Sequence, residues 1–247
     1  MKTIKSLLLC AFVTCLSPAG GSLAGNTPVN VDGTIINIPD IPGQCALFED
    51  AHPVDAALLK VFRGVYEGVG ELLQVAYECA DIAHVRTGVK DIKVQYWSVV
   101  ALGYVGEPLH KQRLSNVRLE DFIDAVVREL GDKEFDPNVV FSPERRKHVE
   151  QVVGDAIGKM AMVGEVHPLG VLARDTNVLY FGALSYIKLG EVEDWVLYVQ
   201  GITLINGWPI SAVQYASFQG EKVDYEETLK RARVKIESLI SANGTGI

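Results

Sequence analysis

The amino-acid sequence predicts an α+β fold, in which a mainly antiparallel β-sheet of about six to seven strands has helices packed on its faces, as in an α/β/α sandwich. Over residues 162–218, apolar runs are separated only by short turns, which is typical of neighbouring antiparallel strands. Four other stretches carry apolar residues at helical spacing. The order of elements lacks the alternating βαβαβ pattern that a doubly wound parallel sheet requires.

Residues 1–24 have the composition of a secretory signal peptide. Lys2 and Lys5 form the positive start, residues 6–16 form an apolar run, and the Ser-Leu-Ala sequence that ends at Ala24 is typical of a cleavage site. The apolar run is too short to span a bilayer core of about 30 Å. The sequence therefore predicts export to the periplasm or the extracellular space. Cleavage removes two lysines and no acid, so the formal charge changes from −8 to −10.

The mature chain is predicted to be a single α+β domain over residues 35–247, preceded by a flexible lead-in. Residues 25–34 are polar and rich in turn-forming residues, which is typical of a flexible chain end. Ile35 to Ile38 could form only a short edge strand, because prolines follow it. A helix should begin at Pro53, since proline fits the first helical turn.

Two antiparallel strands are predicted after this helix. Apolar and polar residues alternate from Leu73 to Cys79, and the strand could continue to about Val85. A Thr-Gly turn then leads into the next strand, which runs from Ile92 to Gly103.

Two helices are predicted after this pair of strands. The first has an apolar face from Leu119 to Leu130 and could be capped by Ser115 or Asn116. The second extends over residues 142–160, where a Ser-Pro-Glu sequence supplies a cap, a first-turn proline and an acid at the positive helix end.

The strongest local signal is the dipeptide Asn206-Gly207 between two apolar runs. A two-residue hairpin turn of this kind needs positive φ at both positions, and Asn-Gly tolerates that conformation best. We therefore predict that Ile205 and Trp208 face each other across an antiparallel pair. A final helix from Asp224 should fold back onto this hairpin.

The resulting order, β-α-β-β-α-α-β-β-β-β-α, resembles that of PsbP-like proteins. These proteins are exported α/β/α sandwiches and are often non-enzymatic. The resemblance lies in the order of elements and implies an exported sandwich here as well.

Cys45 and Cys79 are the two cysteines that remain after signal removal. An even pair in an exported protein is compatible with one disulfide bond. Two separate buried thiols are the alternative, because unpaired cysteine is among the most buried residue types. The sequence leaves both open.

Composition and motifs argue against several functions. The acidic balance disfavours a nucleic-acid partner. The chain contains no GxGxxG or GxxxxGK[ST] phosphate loop, no GxSxG nucleophile elbow and no HExxH zinc motif. We therefore expect no cofactor and no metal, and in the mature chain no membrane span. The sequence identifies no catalytic residue.

Asp81, His84 and Arg86 are the most concentrated group of functional side chains. They follow directly from a predicted strand, so they could line a ligand-binding pocket at its end. The alternative is that the strand leaves the core there and becomes solvated, with an Asp–Arg ion pair of little energetic value.

The sequence favours an exported, non-enzymatic α+β domain that binds a protein partner or a small ligand. One alternative is a periplasmic hydrolase or another enzyme with a dispersed active site. A second alternative is an inhibitor or another interaction factor of the cell envelope. A pocket with converging titratable groups would favour the enzyme, and a large exposed apolar patch would favour the interaction factor.

We predict that the exported protein begins at Gly25, because a signal peptidase cleaves after small residues in this arrangement. N-terminal sequencing of the protein from an envelope or culture fraction should read Gly-Asn-Thr-Pro. Intact Met1 on most molecules would contradict the signal-peptide interpretation.

Overall fold

The structure is a computed structural model and describes residues 25–88, 94–131, 147, 151, 161–189, 192–218 and 222–244. The strands are β1 (Asn26–Val31), β2 (Thr34–Pro39), β3 (Gln44–Ala46), β4 (Gly70–Glu78), β5 (Tyr96–Gly103), β6 (Ala161–Asp175), β7 (Val178–Leu189), β8 (Val192–Ile205) and β9 (Trp208–Ser217). The helices in this part of the chain are α1 (Pro53–Tyr66), α2 (Cys79–Arg86), α3 (Leu119–Gly131) and α4 (Lys222–Asn243).

Seven strands form one antiparallel sheet in the order β3-β4-β5-β9-β8-β7-β6, and β1 and β2 form a separate two-stranded sheet. The predicted α+β class, with a mainly antiparallel sheet of six to seven strands, is confirmed. β9 lies at the centre of the large sheet, between β5 and β8. The last strand of the chain therefore joins the two halves of the sheet.

Helix α4 and the β1–β2 hairpin cover one face of the large sheet. Their buried apolar residues include Val31, Ile36, Ile38, Ile236 and Leu239. The end of α4 is tied to β2 because the amide N–H of Asn37 donates to Asn243 Oδ1 at 2.8 Å, and Asn243 Nδ2 donates to the Asn37 carbonyl at 2.8 Å. This pair of hydrogen bonds fixes the C-terminal end of α4 over the sheet.

The other three helices lie on the opposite face. Leu59 of α1 and Ile82 of α2 belong to the same buried cluster as Phe181 of β7. Phe122 of α3 packs in a cluster with Leu179, which points to the same face as Phe181 because alternate residues of a strand share a face. The sheet is therefore covered by helices on both faces, as predicted.

The β8–β9 hairpin has the predicted turn and register. Asn206 and Gly207 have φ values of 52° and 79°, and Ile205 pairs with Trp208. Helix α4 packs on β8 and β9, and its Ile236 is fully buried. The Asn-Gly signal was therefore sufficient to fix the register of these two strands.

The prediction of a flexible lead-in over residues 25–34 is wrong. Asn26–Val31 is strand β1, and Asp32-Gly33 turns the chain into β2 with φ values of 45° and 83°. Asp-Gly forms the same type of hairpin turn as Asn-Gly. Val31 is fully buried under α4, so the apolar alternation of this short segment outweighs its polar composition.

The prediction that the strand from Leu73 continues to about Val85 is also wrong. β4 ends at Glu78, and α2 begins at Cys79. Ile82 is fully buried and Val85 packs against the same cluster, which is the i, i+3 spacing of one helix face. The period of the apolar residues therefore changes at Cys79, from 2 residues in the strand to about 3.6 in the helix.

Cys45 of β3 and Cys79 of α2 form a disulfide bond, with their Cα atoms 4.9 Å apart. The bond joins the edge strand β3 to the start of α2 and spans 34 residues of sequence. The chain-entropy model gives a loop of this length a stabilisation of about 4 kcal/mol. Of the two arrangements that the sequence left open, the structure has the disulfide.

Some predicted elements lie outside the described residues. They are the signal peptide, the beginning of the strand predicted from Ile92, and the helix over 142–160 apart from residues 147 and 151. The described part of that strand, β5, begins at Tyr96.

A lysine is buried between α4 and the sheet. Lys235 is 2% exposed, and its Nζ donates to Gln74 Oε1 of β4 at 2.8 Å. Burial lowers the pKa of Lys235 to about 8, although the charge of Asp40 acts in the opposite direction. The protonated amine is therefore less stable in the folded protein than in the unfolded chain.

We predict that the free energy of unfolding rises with pH between about 8 and 10. In that range the unfolded chain holds the Lys235 proton and the folded protein has released it, so the slope approaches about 1.4 kcal/mol per pH unit. Above pH 10 the trend reverses, because burial raises the pKa of Tyr77 and Tyr198, and the unfolded chain then loses those protons first.

Urea unfolding at fixed ionic strength measures this profile. Lys235→Met should remove the rise between pH 8 and 10. Lys230→Met is the matched control, because Lys230 lies on the same helix with a side chain that is 75% exposed. A rise that persists in Lys235→Met would show that another group is responsible.

Candidate functional site

The structure does not bring Asp81, His84 and Arg86 together as a pocket. All three lie on α2 rather than at the end of a strand. Asp81 Oδ2 accepts a hydrogen bond of 3.2 Å from the amide of Gln95, and His84 is exposed. The expected Asp–Arg pair forms with a different acid, because the Arg86 guanidinium binds Asp55 of α1.

The Asp55–Arg86 pair connects α1 to α2. Asp55 is fully buried, and its two carboxylate oxygens accept hydrogen bonds of 2.9 and 2.5 Å from Arg86. Burial alone would raise the pKa of Asp55, but the hydrogen bonds from Arg86 and from the Phe48 amide lower it further than burial raises it. This geometry gives Arg86 a structural role, which the sequence did not reveal.

A cleft of about 690 Å³ opens at the end of the sheet where the β8–β9 turn lies. Residues 113–119, which precede and begin α3, form one wall, and the C-terminal end of α4 contributes Ile240 and Gly244. Asn177 from the β6–β7 turn also lines the cleft. Its lining thus comes from four separate parts of the chain.

The hairpin turn holds the 113–119 segment in place. The amide of Leu114 donates to the Gly207 carbonyl at 2.7 Å, and Arg113 Nε donates to the Asn206 carbonyl at 2.8 Å. Gly207 fits closely, because a Cβ added to it would lie 3.3 Å from Ser115 Cα. The turn therefore fixes the position of Arg113.

The predicted caps of α3 have a different position. α3 begins at Leu119, so Ser115 and Asn116 lie in the turn before the helix and line the cleft. The helix starts later than expected because the segment before it is bonded to the hairpin turn.

The cleft lining combines two arginines with amide and hydroxyl groups. Its polar residues are Arg113, Ser115, Asn116, Arg118, Asn177, Thr203 and Asn206. Arg118 forms two hydrogen bonds of 2.8 Å to Asp121, so that acid balances its charge. Within the described residues, Arg113 forms no ion pair. Its guanidinium is therefore available to an anionic group in the cleft.

A second cavity of about 340 Å³ adjoins the cleft, since Asn177 and Ile240 line both. This cavity has acidic side chains, Asp175 and Glu237. Asp175 accepts a hydrogen bond of 3.3 Å from Arg233. In the part of the chain that the structure describes, no cation lies within ion-pair distance of Glu237.

The wall of the second cavity contains a buried tyrosine. Tyr180 is fully buried, and its pKa is raised mainly by burial and also by the negative charges of Asp175 and Glu237. The Arg233 guanidinium lies 5.5 Å from the centre of the Tyr180 ring, and its positive charge acts in the opposite direction.

Neither a metal-binding cluster nor a membrane-spanning helix occurs among the described residues. No three His, Cys, Asp or Glu side chains there come together in a way that could hold a metal ion. None of the helices there is both long enough and apolar enough to cross a membrane.

No protein-family model and no curated protein matches this chain. Among solved structures, the chain is similar to the solution structure of cyanobacterial PsbP (CyanoP) from Synechocystis sp. PCC 6803. The two have 12% sequence identity and a TM-score of 0.36, and the match covers 89% of this chain and 95% of that one. A likeness at this level carries no argument about function.

We predict that Gly207→Val destabilises the protein more than Gly33→Val. Each glycine is the second residue of a hairpin turn, with φ of 79° and 83°, so a β-branched residue should cost on the order of 1–3 kcal/mol at either position. At Gly207 the new side chain also meets the backbone of Ser115, whereas nothing lies within 4 Å of a Cβ at Gly33.

Thermal melts of the two variants test this difference. An extra loss of about 1 kcal/mol at Gly207 should lower its midpoint by a further 2–4 °C or so. Equal midpoints would mean that the 113–119 segment is not held against the turn.

Proposed function

We propose that this protein is an exported, non-enzymatic domain that binds a small ligand in the cleft, through an anionic group of the ligand. The observation that carries the proposal is Arg113. The hairpin turn positions it, it lines the cleft, and no acid within the described residues balances its charge. A guanidinium with free N–H groups is the protein group best suited to a carboxylate or phosphate.

The size and chemistry of the cleft support binding of a small molecule. A volume of about 690 Å³ falls in the range of about 300–1,000 Å³ that is typical of small-molecule sites. Asn116, Asn177 and Asn206 supply amide donors and acceptors, while Leu204 and Ile240 supply apolar surface. Fixed polar groups within a partly apolar wall are the usual arrangement for orienting a ligand.

The lining supports binding rather than catalysis. General acid–base chemistry uses a side chain whose pKa lies near the working pH. The described residues of the 690 Å³ cleft include no His, Cys, Asp, Glu, Lys or Tyr side chain, which are the usual general acids and bases. A hydroxyl nucleophile such as Ser115 would need a neighbouring base, and this lining offers none.

Export is supported by the predicted signal peptide and by the disulfide between Cys45 and Cys79. Disulfide bonds persist in the periplasm and outside the cell, whereas the cytosol keeps thiols reduced. The proposed location is therefore the periplasm or the extracellular space, after cleavage before Gly25.

A thermal-shift screen against small carboxylates and phosphates tests the proposed function. We expect at least one compound to raise the melting midpoint. At ten times its Kd the stabilisation is about 1.4 kcal/mol, or roughly 3–6 °C for a domain of this size. Arg113→Gln should abolish the shift, because it keeps a polar side chain but removes the positive charge and the guanidinium N–H groups.

Lys60→Gln is the control, since it removes a positive charge on α1 that lies outside both cavities. It should leave the shift unchanged. A ligand that stabilises the wild type and Arg113→Gln equally would contradict the proposed site.

A further inference from the structure

The cleft and the second cavity are neighbours that carry opposite charges. Asn177 and Ile240 line both cavities, so a ligand long enough to pass these two residues would reach from one cavity to the other. Residues of the β6–β7 turn and of α4 border this junction. We use the name bipolar groove for the 690 Å³ cleft and the 340 Å³ cavity together.

Each half of the bipolar groove contains one charge that is already balanced and one that is not. In the first half, Asp121 binds Arg118, and Arg113 forms no ion pair within the described residues. In the second half, Arg233 binds Asp175.

Glu237 is the remaining charge of the second half. It is exposed, and no described cation lies within ion-pair distance of it. Among the described residues, one positive and one negative charge without an ion-pair partner therefore lie on opposite sides of the Asn177–Ile240 junction.

We propose that the bipolar groove binds a zwitterionic ligand, with a carboxylate at Arg113 and an ammonium group at Glu237. This is the chemistry of an amino acid or a short peptide with both ends free. The proposal rests on the proposed function, because it keeps Arg113 as the anion site and adds the opposite end of the ligand.

The net charge around Tyr180 supports a cation in the second half. Tyr180 lines this half, and the negative charges of Asp175 and Glu237 both act on its hydroxyl, whereas the charge of Arg233 acts in the opposite direction. Two carboxylates beside one guanidinium favour an ammonium group at Glu237. An apolar spacer between the charged ends would cross Ile240.

The test uses ω-amino acids of increasing length, from 4-aminobutanoate through 6-aminohexanoate to 8-aminooctanoate. Hexanoate and hexylammonium, each with one charge, are the reference probes. Binding is followed by amide chemical shifts in ¹⁵N-labelled mature protein at constant pH and ionic strength. This readout both gives Kd and locates the probe.

We expect one ω-amino acid to bind about three to five times more tightly than either reference probe, since an exposed ion pair contributes up to about fivefold. Shifts should occur at amides on both sides of the Asn177–Ile240 junction. Arg113→Gln should reduce the affinity to that of hexylammonium, and Glu237→Gln should reduce it to that of hexanoate. Lys60→Gln and Asp50→Asn, outside the groove, should have no effect.

Two results would overturn the inference, and only the second would also contradict the proposed function. If hexanoate binds near Arg113 as tightly as every ω-amino acid, and Glu237→Gln changes nothing, the ligand is an anion and the proposed function survives. If no probe shifts the amides of the cleft, or Arg113→Gln binds every probe like the wild type, the proposed function fails as well.

Discussion

The register of the β8–β9 hairpin is the constraint on which the rest of the fold depends. β9 is the central strand of the sheet, so its register fixes its pairing with β8 on one side and with β5 on the other. A slip of one residue would turn every side chain of β9 to the opposite face. It would carry Ile210 and Ala212 away from α4 and place Val213 there instead. Asn206 and Gly207 prevent this slip, because their positive φ values are suited to a two-residue turn between Ile205 and Trp208.

The same turn positions the candidate site. Its carbonyl groups point away from the strand ladder and accept hydrogen bonds from Leu114 and Arg113. The 113–119 segment has no regular structure of its own until α3 begins, so it is held by these two bonds to the turn and by the packing of Leu114 and Leu119 on the Phe122 cluster. The Asn206-Gly207 turn, which specifies the strand pairing, thus also positions Arg113, the one cleft arginine that no described acid neutralises.

Local signals in the sequence predicted most of the fold. Asn206-Gly207 gave the hairpin and its register because the turn chemistry is decided by two neighbouring residues. The same reasoning applied to Asp32-Gly33 would have predicted β1 and β2, but the polar composition of residues 25–34 concealed the alternation that buries Val31. The change from strand to helix at Cys79 was missed because both periods fit the few apolar residues around it.

The site was much harder to predict. Asp81, His84 and Arg86 are close in sequence, but Arg86 has its partner Asp55 thirty-one residues away, on another helix. Arg113 and Glu237 lie in adjoining cavities that share Asn177 only because the fold brings three distant segments to one end of the sheet. No local sequence pattern identifies such residues, because their role depends on their neighbours in the folded structure. Charge balance could be assessed only after each partner was known.

Amide hydrogen exchange at Leu114 tests the central claim most directly. Its N–H is bonded to the Gly207 carbonyl at 2.7 Å, so it should exchange only when the hairpin turn opens. We predict that the Leu114 amide is protected from exchange to the same degree as the Ile205 and Trp208 amides beside the turn. Gly207→Val should lower the protection of all three amides together. Rapid exchange at Leu114 while the hairpin amides stay protected would contradict the account, because the 113–119 segment would then be independent of the turn.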